Sequence, residues 1–221
     1  MSSKLRWGLL LGVPLLLVAV ALLALYQTTQ HVPRFYRAAL AADADEHQPA
    51  CDRMLRRISS LSNDLRNGRP WQLVLGAEEI NGWLAVDLPR NHPTALPPGT
   101  EAPRVAISGN QLQVAFKARW RSFTTVVSLV LEPYLAKPDV LAVRVCRVRA
   151  GGLPVPLGQI LDNFSDTVHQ SGLKLQWRQT DGDPVALISL VARNTQRAQV
   201  HLEKFQLADG KMMFAGTSTR H

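Results

Sequence analysis

The sequence predicts an α+β protein: an N-terminal transmembrane helix followed by a long curved antiparallel sheet packed on a few helices. Three observations carry this. Trp7 to Gln30 holds no charged side chain. Between Phe35 and Asp87 apolar residues recur at steps of three and four, the spacing of one helix face. From Arg104 onward the period falls mostly to two, the spacing of a half-buried strand. The chain divides into a membrane anchor at residues 1–30, a helical connector at 31–70 and a single antiparallel-sheet domain at 71–221.

The anchor comes first. Gly8 to Tyr26 is almost wholly apolar, with Lys4 and Arg6 just ahead of it. A helix over that stretch rises about 28 Å at roughly 1.5 Å per residue, close to the ~30 Å of a bilayer core. Such a helix satisfies its own backbone polar groups in lipid, and Pro14 is tolerated there. A cleaved signal peptide shares the basic start, but its apolar core runs to only about 7–15 residues before a small-residue cleavage site. Gln27-Thr28-Thr29-Gln30 offers no such site. The expectation is an uncleaved single-pass anchor in the cell membrane. A long C-terminal domain crosses largely regardless of its charge, so the N-terminus is expected in the cytoplasm and the C-terminal domain outside it.

Composition bounds the remainder. About 187 residues follow from Phe35, enough for one domain with its own core. Charged residues are 19% of the chain, too few for a disordered, self-repelling tail. The chain carries a net charge of +8; without Lys4 and Arg6 the remainder is still about +6, which draws such a domain towards an anionic leaflet. Nucleic acid is not expected as a partner, because no helix-turn-helix, zinc finger or aromatic RNP-like pattern accompanies the charge. Cys51 and Cys146 are the two cysteines. Outside the cytoplasm they can pair; as two separate buried thiols they are equally at home.

Phe35 to Ala44 reads as helix, broken after it by Asp43, Asp45, Glu46 and Pro49. Cys51 to Leu65 is the clearer helix, with Cys51, Met54, Leu55, Ile58, Leu61 and Leu65 on one face. Gly68 and Pro70 stop it. Trp71 to Leu75 suits a strand. Ala77 to Asp87 reads as a helix with Ile80, Trp83 and Leu84 inward and Glu78 and Glu79 at its positive end. Leu88 to Pro103, with five prolines, reads as a surface loop.

Arg104 to Ser108 and Gln111 to Arg121 form a hairpin about Gly109-Asn110. On the second strand Leu112, Val114, Phe116, Ala118 and Trp120 face one way and Gln113, Lys117, Arg119 and Arg121 the other. Ser122 to Leu131 and Val140 to Ala150 extend the meander, with Pro133 to Asp139 as a turn. Leu157, Ile160, Leu161, Phe164 and Val168 stripe a helix ending near Ser171. Lys174 to Arg178, Val185 to Leu190, Val200 to Leu207 and Lys211 to Ala215 complete a sheet of seven to nine strands.

Catalytic signatures are absent: there is no H-E-x-x-H, G-x-S-x-G, G-x-G-x-x-G or P-loop. No pair of histidines has metal-ligand spacing, and Asp162, Asp166 and His169 read as an ordinary exposed helix face. Asp181 and Asp183 resemble half a calcium loop without its other ligands and read as a turn. No enzyme activity, metal or cofactor is expected.

Two features stand out. In Glu78-Glu79-Ile80-Asn81-Gly82-Trp83-Leu84, an Asn-Gly pair inside a helix weakens it and calls for a reason. Asn81 either bonds neighbouring backbone to fix the approach to the sheet or lines a pocket mouth. Alternatively Gly82 permits close helix–strand packing with Trp83 as a core anchor. The second feature is the basic row Lys117, Arg119 and Arg121, with Arg147 and Arg149 on a later strand. It reads either as a contact for anionic headgroups or as a solvated sheet face with edge-protecting charge.

The anchor, the phrase Ala77-Glu78-Glu79-Ile80-Asn81-Gly82-Trp83-Leu84, the meander, and Gly152-Leu153-Pro154-Val155-Pro156-Leu157 opening an amphipathic helix resemble the YpmS-like membrane-anchored bacterial proteins. More distantly the chain is similar to lipoproteins of the tubular lipid-binding, TULIP-like type. The resemblance covers roughly residues 70 to 190. It implies a long curled sheet wrapped round a helix and carries no catalytic residues.

Two functions follow as expectations. One is a non-enzymatic, membrane-anchored extracytoplasmic domain that binds a lipid or other apolar ligand. Its lining would be Asn81, Trp83, Val114, Phe116, Val127, Leu129, Leu161, Phe164 and Val168, of which the apolar seven read more readily as packed core. The other is a scaffold or assembly factor that binds a protein partner in the cell envelope through an exposed apolar patch or sheet edge.

Overall fold

The computed structural model describes residues 32–120, 123–154, 165, 173–190, 199–208 and 210–219. The expected anchor at 7–30 lies outside the described residues. Among those described, no helix is long and apolar enough to cross a membrane.

The architecture is α+β, with a large antiparallel sheet and a few helices. Helices α1 (Arg34–Ala41) and α2 (Ala44–Arg66) precede strand β1 (Trp71–Gly76), and helices α3 (Ala77–Ala85) and α4 (Asp87–Asn91) follow it. Then come β2 (Thr100–Ser108), β3 (Gln111–Trp120), β4 (Phe123–Lys137), β5 (Val140–Ala150), β6 (Leu153–Pro154), β7 (Lys174–Thr180), β8 (Asp183–Ser189), β9 (Gln199–Ala208) and β10 (Lys211–Thr219).

The strands make two sheets rather than one. Seven strands run in the order β2-β3-β4-β5-β8-β7, with β6 beside β5, and three run β1-β10-β9. The C-terminal hairpin therefore leaves the meander and pairs with β1, from the start of the fold. Periodicity cannot foresee this, because alternation names a strand's buried face and not its neighbour.

Several boundaries move for local reasons. Helix α2 begins at Ala44, so Asp45 and Glu46 occupy its first turn instead of breaking it. There they meet the positive end of the helix dipole. Pro49 lies inside α2 and gives up one backbone bond. The expected proline loop is partly ordered: Leu88 of α4 is buried, and Pro89 falls in that helix's first turn, where no backbone donor is lost. Pro103 sits in β2 at an irregularity between Glu101 and Arg104, on an edge strand, where proline is tolerated. The expected turn from Pro133 is strand as far as Lys137. At Pro133 the partner β3 has already ended, so one side of β4 needs no donor.

The main core lies on one face of the seven-stranded sheet. Val127, Val145 and Val148 are buried there with Phe116, Ala118, Leu129, Leu131, Ala150 and Trp177 packed against them. Each fully buried aliphatic side chain contributes roughly 1.5–3 kcal/mol. The expected Leu157–Ser171 helix lies outside the described residues apart from Ser165, which is helical. Ser165 Oγ accepts a 2.8 Å bond from Trp177 Nε1 on this same face.

The helices cover the β2 side. Tyr36 of α1 is fully buried, and its hydroxyl donates to the Ala102 carbonyl at 2.9 Å. Burial raises the Tyr36 pKa against the opposing charge of Arg104. Arg104 is itself buried, donating to the carbonyls of Ala39 and Pro103.

Asp139, in the left-handed region at φ 64°, joins the two sheets at the β4–β5 turn. Its carboxylate accepts from the Leu202 N–H at 2.7 Å and meets His201 Nδ1 at 2.8 Å. Its backbone N–H donates to the Leu202 carbonyl, and its carbonyl accepts from Leu190 N–H.

Candidate functional site

The Glu78–Leu84 phrase is a clasp holding four elements together. Asn81 is buried on α3. Its Nδ2 donates to the Val105 carbonyl at 2.9 Å, and its Oδ1 accepts from the Val105 N–H at 2.8 Å. One amide thus satisfies both backbone groups of a residue on β2, an edge strand. Edge groups left open are templates for foreign strands, and here α3 closes them. Of the two sequence readings for Asn81, the geometry matches the backbone bond.

Gly82 permits close packing, but against a helix and not a strand. A Cβ at Gly82 would stand 2.6 Å from Cys51 N and 2.9 Å from Ala50 Cβ on α2. Trp83 is half-buried and is not a core anchor. Its ring lies 5.8 Å from that of His92, and His92 Nε2 stands 3.5 Å from Asp87 Oδ2. The deeply buried positions of α3 are Glu79, Asn81 and Gly82, whereas Ile80 and Leu84 are half-covered. Polar bonding, and not apolar area alone, seats this helix.

Glu79 reaches back to the Gly76 N–H at 2.9 Å, while Arg57 Nε donates to its other oxygen at 2.8 Å. Arg53 Nη2 pairs with Glu78 at 2.8 Å. Burial alone would raise the Glu79 pKa. The Gly76 N–H, the Arg57 bond and the charges of Arg57 and Arg53 outweigh it and hold the carboxyl below its ordinary value. A depressed folded pKa means stability that is present above the ordinary carboxyl value of 4.5 and is lost as pH falls through the lower, folded one. Urea midpoints measured from pH 7 down to pH 3 should therefore fall more steeply for the native chain than for Glu79→Gln. Parallel curves would remove the Glu79 contribution.

The described part of the expected apolar lining is gathered but packed. Val114, Phe116, Val127 and Leu129 share one sheet face by register, and Phe116, Val127 and Leu129 belong to the core cluster. Leu161, Phe164 and Val168 lie outside the described residues.

An apolar cleft opens elsewhere, between α2 and the three-stranded sheet. It has a volume of about 230 Å³ and is lined by Leu61, Trp71, Leu73, Leu190, Val200, Leu202 and Phe214. Val200 is 39% exposed at its rim, and Leu55 and Ile58 of α2 are each 37% exposed. A second, larger opening of about 590 Å³ lies under the proline-rich segment, between Leu84 and Leu88 of the helices and Pro97, Thr100 and Arg104.

The basic row does share a face. Lys117 and Arg119 lie opposite Val126 and Thr124, while Arg147 and Arg149 lie opposite Val130 and Ser128, all on the side of β3–β5 away from the core cluster. Arg119 is answered by Glu101 at 2.6 Å. Arg147 and Arg149 are exposed. Arg121 lies outside the described residues. Sequence reasoning missed that this face continues through Arg144, Lys137, Lys174 and Arg178. The alternation of Lys174, Gln176 and Arg178 was legible, but not the neighbours of β7.

Cys51 and Cys146 are both free. Burial pushes both thiols upward, with nearby carboxylates adding to it. His47 is buried, and among the described residues its Nε2 has no hydrogen-bond partner. Among the described residues no three histidine, cysteine or carboxylate side chains are grouped to hold a metal. No family model, curated protein or solved structure matches the chain.

Proposed function

We propose that this chain is a non-enzymatic, single-pass membrane protein whose C-terminal domain lies outside the cytoplasm and binds a lipid or another apolar ligand. The uncharged run from Trp7 to Gln30 supports the anchor. The observation that carries the ligand reading is the cleft walled by seven apolar side chains. Its volume falls below the roughly 300–1,000 Å³ of a complete small-molecule pocket, so it suits part of a chain-like ligand such as an acyl tail. The YpmS-like and TULIP-like resemblance agrees with this reading.

The test is photolabelling of the full chain in membranes with a phospholipid carrying a photoreactive acyl tail, followed by peptide mapping. Adducts are expected on peptides around Leu61, Trp71 and Val200. Labelling confined to residues 7–30 would overturn the ligand reading.

The exposed Leu55 and Ile58 favour a second reading, a scaffold or assembly factor for an envelope complex. Apolar side chains left uncovered on a helix are also what a partner helix or strand would cover. Leu55 and Ile58 carrying a photoreactive neighbour at Ser59 would crosslink to one protein species in that case, and to lipid alone in the first.

A further inference from the structure

We infer that the groove between the end of β4 and the edge strand β7 binds the headgroup of an anionic phospholipid. This rests on the lipid reading above but assigns a different surface. The groove has a volume of about 490 Å³, within the range of ligand pockets. Register places its walls on one face of the seven-stranded sheet: Tyr134 from β4, Val185 and Leu187 from β8, and Lys174 and Arg178 from β7. Lys137 closes the end next to the β4–β5 turn.

The charges are one-sided. Lys137, Lys174 and Arg178 all line the groove, all are exposed, and among the described residues no carboxylate lines it. Among the described residues none of the three has an ion-pair partner. The nearby Arg144 differs, since Asp181 answers it at 3.5 Å at the β7–β8 turn. Four residues of extended chain put Lys174 and Arg178 about 13 Å apart on one face of β7, and four strands span about 14 Å across the sheet. Unanswered like charges at that spacing on a concave surface focus a positive potential. They match a phosphodiester and its polar substituent better than a single small ion.

The floor separates a lipid from a simple anion. Ala136, Val140, Val185 and Leu187 give the cations an apolar base, and the exposed ring of Tyr134 borders it. An amphipathic ring beside lysines is the usual chemistry of a membrane–water boundary. The same face continues to Arg147 and Arg149, so the groove sits in a wider basic field that favours an anionic leaflet.

The test uses the full chain in non-ionic detergent. Dihexanoyl phosphatidylglycerol and dihexanoyl phosphatidylcholine are titrated in a calorimeter against the native chain, K174E/R178E and K204E/K211E. The last pair makes the same charge change at exposed positions of the three-stranded sheet, and thermal melts confirm that both variants fold. The native chain is expected to prefer phosphatidylglycerol by about tenfold, with K174E/R178E losing that preference and K204E/K211E keeping it. Equal loss in both variants, or none in K174E/R178E, overturns the groove. Displacement of phosphatidylglycerol by hexaglutamate at equal concentration would make the occupant an acidic peptide and also overturns it. Equal uptake of both lipids by the native chain removes the headgroup site while leaving the lipid reading in place. Uptake of neither removes both.

Discussion

Gly216→Ala is expected to unfold the three-stranded sheet, and with it most of the stability of the chain. A Cβ at Gly216 would run into the His201 carbonyl oxygen and stand 2.9 Å from the Trp71 ring. Neither neighbour can retreat easily. His201 lies on the paired strand β9, beside a register shift between Ala215 and Gly216. Trp71 is held by its Nε1 bond to the Thr217 carbonyl. Overpacking a core with flexible walls costs about 1–3 kcal/mol, and here two strand backbones must separate, so a loss of about 3 kcal/mol or more is expected. Thermal or urea unfolding measures it. A variant within about 0.5 kcal/mol of native, the usual range for surface substitutions, would show that the backbones do not approach this closely. Trp71→Ala in the Gly216→Ala background separates the contributions, since it relieves the ring contact but not the carbonyl contact.

Asn81→Ala should cost about 2–4 kcal/mol, because two backbone groups of Val105 lose their partner at a covered site and each unsatisfied group costs about 1–3 kcal/mol. Asn81→Asp keeps the acceptor for the Val105 N–H but turns a second oxygen on the Val105 carbonyl, so it should also destabilise, and more at pH 7 than at pH 4. The two variants have a second readout. Uncovering the edge of β2 should raise concentration-dependent association, seen in sedimentation, while substitutions at Trp83 should not. If Asn81→Ala melts like the native chain and stays monodisperse, α3 does not guard that edge.

These effects show how the motif divided between what was legible and what was not. That Asn81-Gly82 interrupts a helix for a reason could be read from helix propensity alone. That the reason is a backbone clamp on β2 could not, because the partner lies 24 residues on. Gly82 in a helix predicts a close approach, and the structure supplies one, from a helix and not from a strand. Glycine in a sequence shows only that something comes near, and α2 came near instead of a strand. Their place in the sequence makes Glu78 and Glu79 dipole partners of α3. The structure adds Arg53 and Arg57, which reach them because positions four apart on α2 lie on one side of a helix.

The basic face follows the same division. Alternation on β3 put Lys117 and Arg119 opposite to Val114 and Phe116, and the register agrees. Period two is enough for that, since it is a property of the extended backbone itself. The addition of Lys174 and Arg178 required β8 to pair with β5 and to leave β7 at the edge. The apolar residues expected as a ligand lining were equally legible as one face. Only their contacts decided that Phe116, Val127 and Leu129 are packed into a core.

The sequence by itself determined the strand meander from Arg104 to Ala150, the long α2 helix, the α+β class and the sidedness of β3. All of these follow from local backbone periods and turn residues acting within a few positions of one another. Tertiary structure alone decided that β1 joins β10 across some 140 residues, that the ten described strands split into two sheets, and that Asp139 bridges them through β9. Those pairings are a competition among similar strand edges. It is settled by which close approach Gly216 permits and which buried polar groups find partners, and neither is written in any local stretch of residues.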